Sequence, residues 1–277
     1  MNCQSARVWV KSALLEWENN QYDAEETLLK EGIKIYSTCD KLHMMLGQLY
    51  EEQEKIEDAR NAYRTGILRC PFSSPLWLLY VRLEKKYTSI IKARSLLEVA
   101  RQKINDSEDL WIESIQMERE AGNEVLANQL LAKAKQVLPQ SGRIWSESIK
   151  VIPKIQRRTY ITNALKEKED DPYIILAAGE LFWSLHKINS ARVWLKRAVS
   201  KNNDIGDFWG LLYVFELQNG TAELQEEVLQ SCVRADPHHG SVWTSIRKKK
   251  ENRRKSIADI LKLVADQMKD TINEFNK

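Results

Sequence analysis

The side chains that could support catalysis or metal binding are few and widely separated in this 277-residue chain. The histidines and cysteines are His43, His186, His238, His239, Cys3, Cys39, Cys70 and Cys232. No cysteines have C-x-x-C spacing, and there is no H-E-x-x-H, no G-x-S-x-G and no glycine-rich phosphate loop. This pattern predicts reduced thiols in a reducing compartment. It also predicts a protein that is not an enzyme and that holds no metal, cofactor or small-molecule substrate.

The remaining polar candidates are better explained by structure than by chemistry. His238 and His239 follow Pro237 in a predicted loop, and two adjacent ligands without a third do not complete a metal site. Carboxylates are spread too evenly to single out a catalytic pair. An α/α-toroid hydrolase would need two carboxylates held about 5–9.5 Å apart in a cleft, whereas the repeats described below favour an open stack of helices.

Basic side chains form two patterns in a chain whose net charge is only +3. The first is a stripe at the predicted groove-facing positions of the first helices, near Glu120; it comprises Arg82, Lys85, Lys86, Arg119, Arg143, Lys150 and Lys154. This stripe could hold an acidic protein segment or an RNA backbone, and the alternative is a solvated face. The second is the run at residues 247–255, from Arg247 to Lys255. A nuclear import signal, an RNA contact and a solvated turn all remain open for this run.

Composition narrows the fold class. The chain has 10 glycines and 6 prolines, where average usage would give about 19 and about 14. Doubly wound α/β enzymes and β-sandwiches need these residues for phosphate loops and tight turns, so both classes fit poorly. No apolar run approaches the roughly 18 residues of a membrane span, so we expect no membrane partner.

Six of the nine tryptophans follow a period of 34 residues. These repeat markers are Trp9, Trp77, Trp111, Trp145, Trp209 and Trp243. His43 and Ile175 occupy two further marker positions, and the interval from Trp145 to Ile175 is shortened to 30 residues. A small residue precedes seven markers by eleven positions: Gly32, Gly66, Ala100, Ala134, Ala164, Ala198 and Cys232. Small residues let neighbouring helices approach, and the bulky marker fills the space beside them.

A unit of 34 residues holds two helices and two short turns. One hairpin cannot bury both of its apolar faces, so hairpins must stack. The sequence therefore predicts an all-α fold, a right-handed α-α superhelix (solenoid) of about eight hairpins in a single domain. The predicted units are residues 6–39, 40–73, 74–107, 108–141, 142–171, 172–205, 206–239 and 240–277. The chain opens almost in register, which suggests a piece of a longer solenoid, and an amphipathic helix over 256–273 should cap its end.

Three tryptophans, Trp17, Trp183 and Trp194, lie off the period. Trp183 falls eight residues after Ile175, at a position that faces the groove in tetratricopeptide-type hairpins. An exposed aromatic there could anchor a partner peptide or stack on a base. The alternative is that Trp183 packs on a neighbouring hairpin.

A second column of residues distinguishes between repeat families. Seven residues after a marker stands a glutamate at Glu16, Glu84, Glu118 and Glu216, and the second helices carry Ala-Arg pairs at 59–60, 93–94 and 191–192. This pattern resembles the half-a-tetratricopeptide (HAT) repeat, which occurs mostly in RNA-processing complexes. We expect the glutamate and the arginine to pair between the two helices of one hairpin, for example Glu84 with Arg94.

Several segments resemble the C-terminal HAT region of the pre-mRNA-processing factor 6 family. They lie in order at residues 70–86, 127–147, 156–184, 188–199, 204–228 and 235–243, and they include the irregular 30-residue unit. The resemblance implies a nuclear, non-catalytic scaffold that bridges protein components of the spliceosomal tri-snRNP. The alternatives are a tetratricopeptide-type peptide-binding adaptor, as in co-chaperones, and a HAT-repeat protein of another RNA-processing complex.

Overall fold

The protein is represented by a computed structural model that describes residues 3–276, with side chains at residues 6–153 and 155–269. Within this range there are sixteen α-helices, one 3₁₀ turn and no β-strand, apart from an isolated bridge between Ile205 and His239. The prediction of an all-α fold is confirmed. The helices are α1 (Cys3–Glu18), α2 (Tyr22–Ile35), α3 (Asp40–Glu52), α4 (Ile56–Arg69), α5 (Ser74–Tyr87), α6 (Ile90–Lys103), α7 (Glu108–Glu120), α8 (Glu124–Val137), α9 (Gly142–Val151), α10 (Lys154–Glu167), α11 (Pro172–Ser184), α12 (Ile188–Lys201), α13 (Gly206–Asn219), α14 (Ala222–Ala235), α15 (Ser241–Arg247) and α16 (Ile257–Asn276).

Consecutive helices form eight hairpins, numbered here one to eight in chain order. Each predicted unit overlaps one of these hairpins, and side-chain hydrogen bonds cap α6, α9 and α11 at Ser89, Ser141 and Asp171. Asp171 caps α11, since its Oδ1 accepts from the backbone N–H groups of Tyr173 and Ile174 at 3.0 and 3.3 Å. Helix α5 begins at Ser74, with Ser73 at the N-cap and Pro75 in the first turn.

The column of small residues also marks where each second helix ends. In α2, α4, α6, α8, α10, α12 and α14, the carbonyl of the small residue accepts the N–H of the C-cap residue four positions later. The small residues are themselves buried. At Gly66, an added Cβ would lie 2.8 Å from both His43 Cβ and Leu76 Cδ2, so only glycine allows this approach. One column therefore serves both close packing and the final helical hydrogen bond.

The chain divides into two compact units, residues 1–139 and 140–277. The first unit holds hairpins one to four, and its core includes Leu42, Tyr63, Trp77 and Leu97. The second holds hairpins five to eight, and its core includes Leu195, Phe208, Trp243 and Val264. The predicted single continuous solenoid stays a prediction.

Hairpins five and eight depart from the regular pattern. In hairpin five, α9 has only 10 residues, Pro153 separates it from α10, and α9 packs more extensively on α11 than on α10. In hairpin eight, α16 packs on α13, α14 and α15. Gly210 of α13 permits this contact, because an added Cβ would lie 2.6 Å from Val264 Cγ1. The predicted apolar face of α16 is buried at Ile260, Leu261 and Val264, while the side chain of Ile272 lies outside the described residues.

Candidate interaction surfaces

The marker tryptophans share one hydrogen bond as well as one position. The indole N–H groups of Trp77, Trp111 and Trp209 each donate to the carbonyl six residues earlier, at 2.8–2.9 Å. His43 has the same arrangement, with its Nε2 2.9 Å from the carbonyl oxygen of Ser37. These four side chains are all buried. Histidine can therefore replace tryptophan here because its ring also reaches the loop that enters the hairpin.

Trp243 is the exception among the buried markers. It is fully buried, yet its indole N–H has no hydrogen-bond partner among the described residues. The carbonyl six residues earlier, that of Pro237, instead accepts from Arg247 Nη1 at 2.6 Å. Arg247 also lies 3.2 Å from Asp236 Oδ1. The last hairpin thus holds its entry loop with an arginine in place of the indole.

The predicted glutamate–arginine pairs exist, but they join different partners from those expected. Glu84 pairs with Arg60 of the preceding hairpin, and Arg94 pairs with Glu118 of the following hairpin, so the predicted Glu84–Arg94 pair is wrong. Arg192 and Glu216 repeat the arrangement in the second compact unit. In all three pairs the arginine precedes the glutamate by 24 residues and contacts it through Nε and Nη2. We call these contacts inter-hairpin rungs; they are Arg60–Glu84, Arg94–Glu118 and Arg192–Glu216.

The rungs are buried on the carboxylate side. The side chains of Glu84, Glu118 and Glu216 are 0–1% exposed, whereas those of the arginines are 18–37% exposed. A bidentate arginine–carboxylate contact fixes the relative orientation of two groups as well as their distance. Each rung therefore holds the second helix of one hairpin in a defined register on the first helix of the next.

The electrostatics of two rungs agree with this geometry. Burial by itself would raise the pKa of Glu84, but hydrogen bonds from Arg60, Thr88 and Lys92 outweigh it and hold the pKa at about 2. The hydrogen bond from Arg94 lowers the pKa of Glu118, opposed by burial and assisted by Asn123. Both glutamates are therefore charged at neutral pH, as a rung requires.

One rung position is occupied by a different pair. Tyr50 stands where the glutamate would be, and Glu26 stands where the arginine would be, 24 residues earlier. The Tyr50 hydroxyl donates to Glu26 Oε1 at 2.9 Å. Glu16, the fourth glutamate of the predicted column, lies in α1, the first helix of the chain. A polar contact therefore joins the two hairpins here as well. The donor, Tyr50, lies in the later hairpin and the acceptor, Glu26, in the earlier one, the reverse of a rung.

The predicted basic stripe is interleaved with acids in the first compact unit. Arg82 Nη2 lies 2.6 Å from Glu113 Oε2, and Lys85 pairs with Glu120. The ammonium of Lys86 lies 4.7 Å from the centre of the Tyr87 ring. Arg119 is half-buried and has interactions of its own. The positive charges are therefore largely paired, which weakens the expected field of a basic groove.

The remaining members of the stripe lie in the second compact unit. Lys150 Nζ is 2.7 Å from Glu147 Oε1, and Arg143 is half-buried and engaged in contacts. The side chain of Lys154 lies outside the described residues.

Trp183 is not an exposed groove residue. Its side chain is 5% exposed, and its ring packs edge-to-face on Phe215 of the next hairpin, with ring centres 5.2 Å apart. The alternative considered from the sequence, packing on a neighbouring hairpin, is the one the structure shows. The reason is that α11 is mostly apolar, so the side chains on both of its faces are covered by neighbouring helices. Trp183 therefore cannot anchor a partner without a rearrangement of this core.

The other two tryptophans that lie off the period also make specific contacts. Trp17 donates to the carboxylate of Glu52, with both oxygens at 2.9 Å, and Trp194 stacks on Phe182 with ring centres 6.2 Å apart.

The structure offers no obvious chemical centre within the described residues. No three His, Cys, Asp or Glu side chains converge in a way that could hold a metal ion. His239 Nδ1 lies 2.5 Å from Asp204 Oδ2, and the backbone N–H of His238 donates to the same carboxylate. Asp204 thus organises the loop that precedes α15. None of the described helices is both long enough and apolar enough to span a bilayer.

The basic run at residues 247–255 forms the connection between α15 and α16. A 3₁₀ turn over Lys250–Asn252 interrupts this connection. The side chain of Asn252 is buried; its Nδ2 donates to the Ile246 carbonyl at 2.9 Å, and its Oδ1 accepts from Lys255 at 2.7 Å. The connection is therefore an ordered loop rather than an extended tail.

Comparison with known proteins places this arrangement in a family. A model of the PRP39 N-terminal HAT repeat matches residues 40–164. The chain is 46% identical to human pre-mRNA-processing factor 6 over 96% of its own length, which is 28% of that protein. It is 42% identical to pre-mRNA-splicing factor prp1 of Schizosaccharomyces pombe over 85% of its length, which is 26% of that protein.

A more distant relative and a solved structure also match. Pre-mRNA-splicing factor 6 of Saccharomyces cerevisiae is 27% identical over 84% of the chain. A crystal structure of a tetratricopeptide repeat protein from Parabacteroides merdae aligns with a TM-score of 0.46 and 12% identity, covering 83% of this chain and 85% of that one. The HAT-repeat match and the identity along nearly the whole chain point to the same family. The chain therefore belongs to the pre-mRNA-processing factor 6 family and spans about a quarter of the length of the curated relatives it matches.

Proposed function

We propose that this chain is part of a nuclear, non-catalytic scaffold of pre-mRNA splicing that bridges protein components of the spliceosomal tri-snRNP. The observation that carries the proposal is the 42–46% identity, over 85–96% of the chain, to proteins named as pre-mRNA-splicing and pre-mRNA-processing factors. The regular hairpins support it, because stacked repeats present an extended surface rather than an enclosed active site.

The rungs support the same proposal. A scaffold must hold its partners at fixed separations, and this requires that one hairpin does not slide on the next. Arg60–Glu84 and Arg94–Glu118 fix two successive junctions in the first compact unit, and Arg192–Glu216 fixes one in the second. A bidentate charged contact resists sliding more than apolar packing does, because displacement leaves a buried carboxylate without its partner.

Recovery of bound proteins from nuclear extract tests the proposal. The purified chain is immobilised, incubated with ribonuclease-treated extract, and the retained proteins are identified by mass spectrometry. We expect several tri-snRNP proteins to be retained together. Retention of chaperones alone would favour a peptide-binding adaptor and contradict the scaffold.

A charge-reversal variant tests whether the basic stripe of the first compact unit contributes. Lys85→Glu with Lys86→Glu reverses two stripe charges, and Lys103→Glu with Lys133→Glu reverses two exposed charges on second helices as a matched control. We expect the first variant to lose at least one partner and the control to lose none. If both variants retain every partner, the stripe is only a solvated face.

A further inference from the structure

The strongest unassigned feature of the molecule is the basic loop at residues 247–255. It carries seven basic residues and one acid in nine positions, so the rest of the chain has a net charge of −3. The sequence left a nuclear import signal, an RNA contact and a solvated turn open for this loop. The structure shows which of the charges in this loop already have partners within the protein.

Some of the basic side chains have structural roles. Arg247 points back to the Pro237 carbonyl and to Asp236, and Lys255 donates to the buried Asn252. In contrast, Lys248, Lys249 and Arg254 are exposed, and their side chains make no ion pair or hydrogen bond within the described part of the chain. Three cations therefore face solvent without a counter-charge.

The loop backbone holds these three cations in a defined arrangement. Asn252 is 4% exposed and uses both atoms of its amide, and its backbone N–H donates to the Lys249 carbonyl at 3.0 Å. The N–H of Lys255 in turn donates to the Asn252 carbonyl at 3.0 Å. The asparagine is anchored inside, and the charged residues on either side of it are exposed. This ordering reduces the entropy lost when the loop binds a partner.

The composition of the exposed surface selects the kind of partner. Residues 247–255 include no aliphatic or aromatic side chain. The centres of protein–protein interfaces are rich in aromatic residues and depleted in lysine, and they usually contain a buried apolar anchor. A surface of unpaired lysine and arginine without such an anchor instead suits a polyanion, whose binding is driven by neutralising phosphates and releasing their counterions.

We propose that this basic loop binds the phosphodiester backbone of single-stranded RNA through Lys248, Lys249 and Arg254. Binding is independent of base sequence, because the loop has no aromatic ring for stacking and contacts only phosphates. The loop is distinct from the stripe at Arg82, Lys85 and Lys86, whose charges are paired or stacked within the protein. This inference goes beyond the scaffold function and does not depend on it.

Fluorescence anisotropy with the purified chain and a labelled oligouridylate of about 16 nucleotides tests the proposal. The test variant is Lys248→Gln/Lys249→Gln/Arg254→Gln. The matched control, Arg158→Gln/Lys166→Gln/Lys187→Gln, removes three charges from exposed positions of the same compact unit. Both variants thus have the same net charge, and circular dichroism confirms that both are folded.

We expect the loop variant to bind RNA about 10- to 100-fold more weakly than the wild type at about 0.1 M salt. The slope of log affinity against log salt concentration should decrease in magnitude by about 2, since each phosphate contact on a single strand contributes about 0.7. The control should remain within about twofold of the wild type, because its charges lie outside the loop.

Four results would overturn the proposal. The loop variant could bind RNA as tightly as the wild type, or the control could lose as much affinity, which would show a general charge effect. An acidic peptide of equal charge could compete as well as RNA, which would indicate an acidic protein partner. Finally, the loop variant could keep its RNA affinity but fail to accumulate in the nucleus, which would identify the loop as an import signal.

Discussion

Hairpins two to four and hairpin five differ in what fixes each hairpin to the next. At the junctions from hairpin two to three and from three to four, a rung joins the hairpins, and both glutamates stand seven residues after a marker. In hairpin five the same position is Ile152, which lies beyond the end of α9 and just before Pro153. Hairpin five is thus four residues short and lacks the rung glutamate.

This difference comes from the length of the first helix of the hairpin. In the regular hairpins the glutamate lies in the last turn of the first helix, where it reaches back to the preceding second helix. In hairpin five the first helix ends at Val151, before that position is reached. Packing of α9 on α11 takes the place of the usual close contact within the hairpin. A first helix of regular length therefore keeps the rung position within its last turn, whereas α9 ends before it.

The largest expected effect is the loss of a buried marker from a regular hairpin. Trp111 is 6% exposed and donates to the Asn105 carbonyl, so Trp111→Ala should lower the free energy of unfolding by about 3–5 kcal/mol. Trp145→Ala in hairpin five should cost less, because Trp145 is partly exposed. Urea unfolding of both variants measures the difference. Equal losses of unfolding free energy would show that the marker contributes as much to stability in hairpin five as in hairpin four.

Removal of a rung partner should have the next largest effect. Arg94→Ala leaves Glu118 buried without its charge partner, and we expect a loss of about 1–3 kcal/mol, reduced by the 37% exposure of Arg94. Lys196→Ala is the control, since its pair with Glu227 is exposed on both sides and should contribute about 0–1 kcal/mol. If both substitutions cost the same, the rungs are ordinary surface ion pairs.

The charge state of a rung predicts a pH dependence. The pKa of Glu84 is held at about 2, below its ordinary 4.5, so ionised Glu84 stabilises the folded state above pH 4.5. This contribution is lost as the pH falls from 4.5 towards 2. The stability difference between the wild type and Glu84→Gln should therefore shrink over this range in urea titrations at successive pH values. Glu98→Gln, at an exposed position, should show no comparable change.

The smallest expected effect separates the two ways in which an entry loop is held. Trp209→Phe removes the hydrogen bond to the Asn203 carbonyl, whereas Trp243→Phe removes an indole N–H that has no partner among the described residues. Both changes remove the same ring volume, so Trp209→Phe should cost about 1 kcal/mol more. A larger loss for Trp243→Phe would contradict the assignment of the last loop to Arg247.

Part of the rung could be predicted from the sequence. The columns of glutamate and Ala-Arg indicate an acid and a base in contact, and both residue types are correct. The predicted partner of each residue lay in the same hairpin, whereas the observed partner lies in an adjacent one. The reason is that a helix turns by about 100° per residue, so neighbouring positions face different helices. Ala93 is fully buried, and Arg94, one residue later, reaches Glu118 of the following hairpin. A pattern along one chain does not specify this rotation.

The candidate surfaces were less predictable for a related reason. The stripe was identified from basic residues alone, but the acids that neutralise it, Glu113 and Glu120, lie 31 and 35 residues from their partners. Trp183 was placed by its position in a hairpin, and the contact that buries it comes from Phe215 in the next. In both cases the deciding side chain belongs to a neighbouring repeat.

The sequence by itself determined the all-α class and the small residues and markers at which helices meet. These properties follow from residue type and spacing: a capping residue acts on the first turn of its own helix, and a small residue repeated at one position lets the neighbouring helix approach. Only the tertiary structure decided which charges face solvent. Side chains more than 20 residues apart must be brought together before a charge is neutralised, and so Arg82 and Lys85 are paired while Lys248, Lys249 and Arg254 remain exposed.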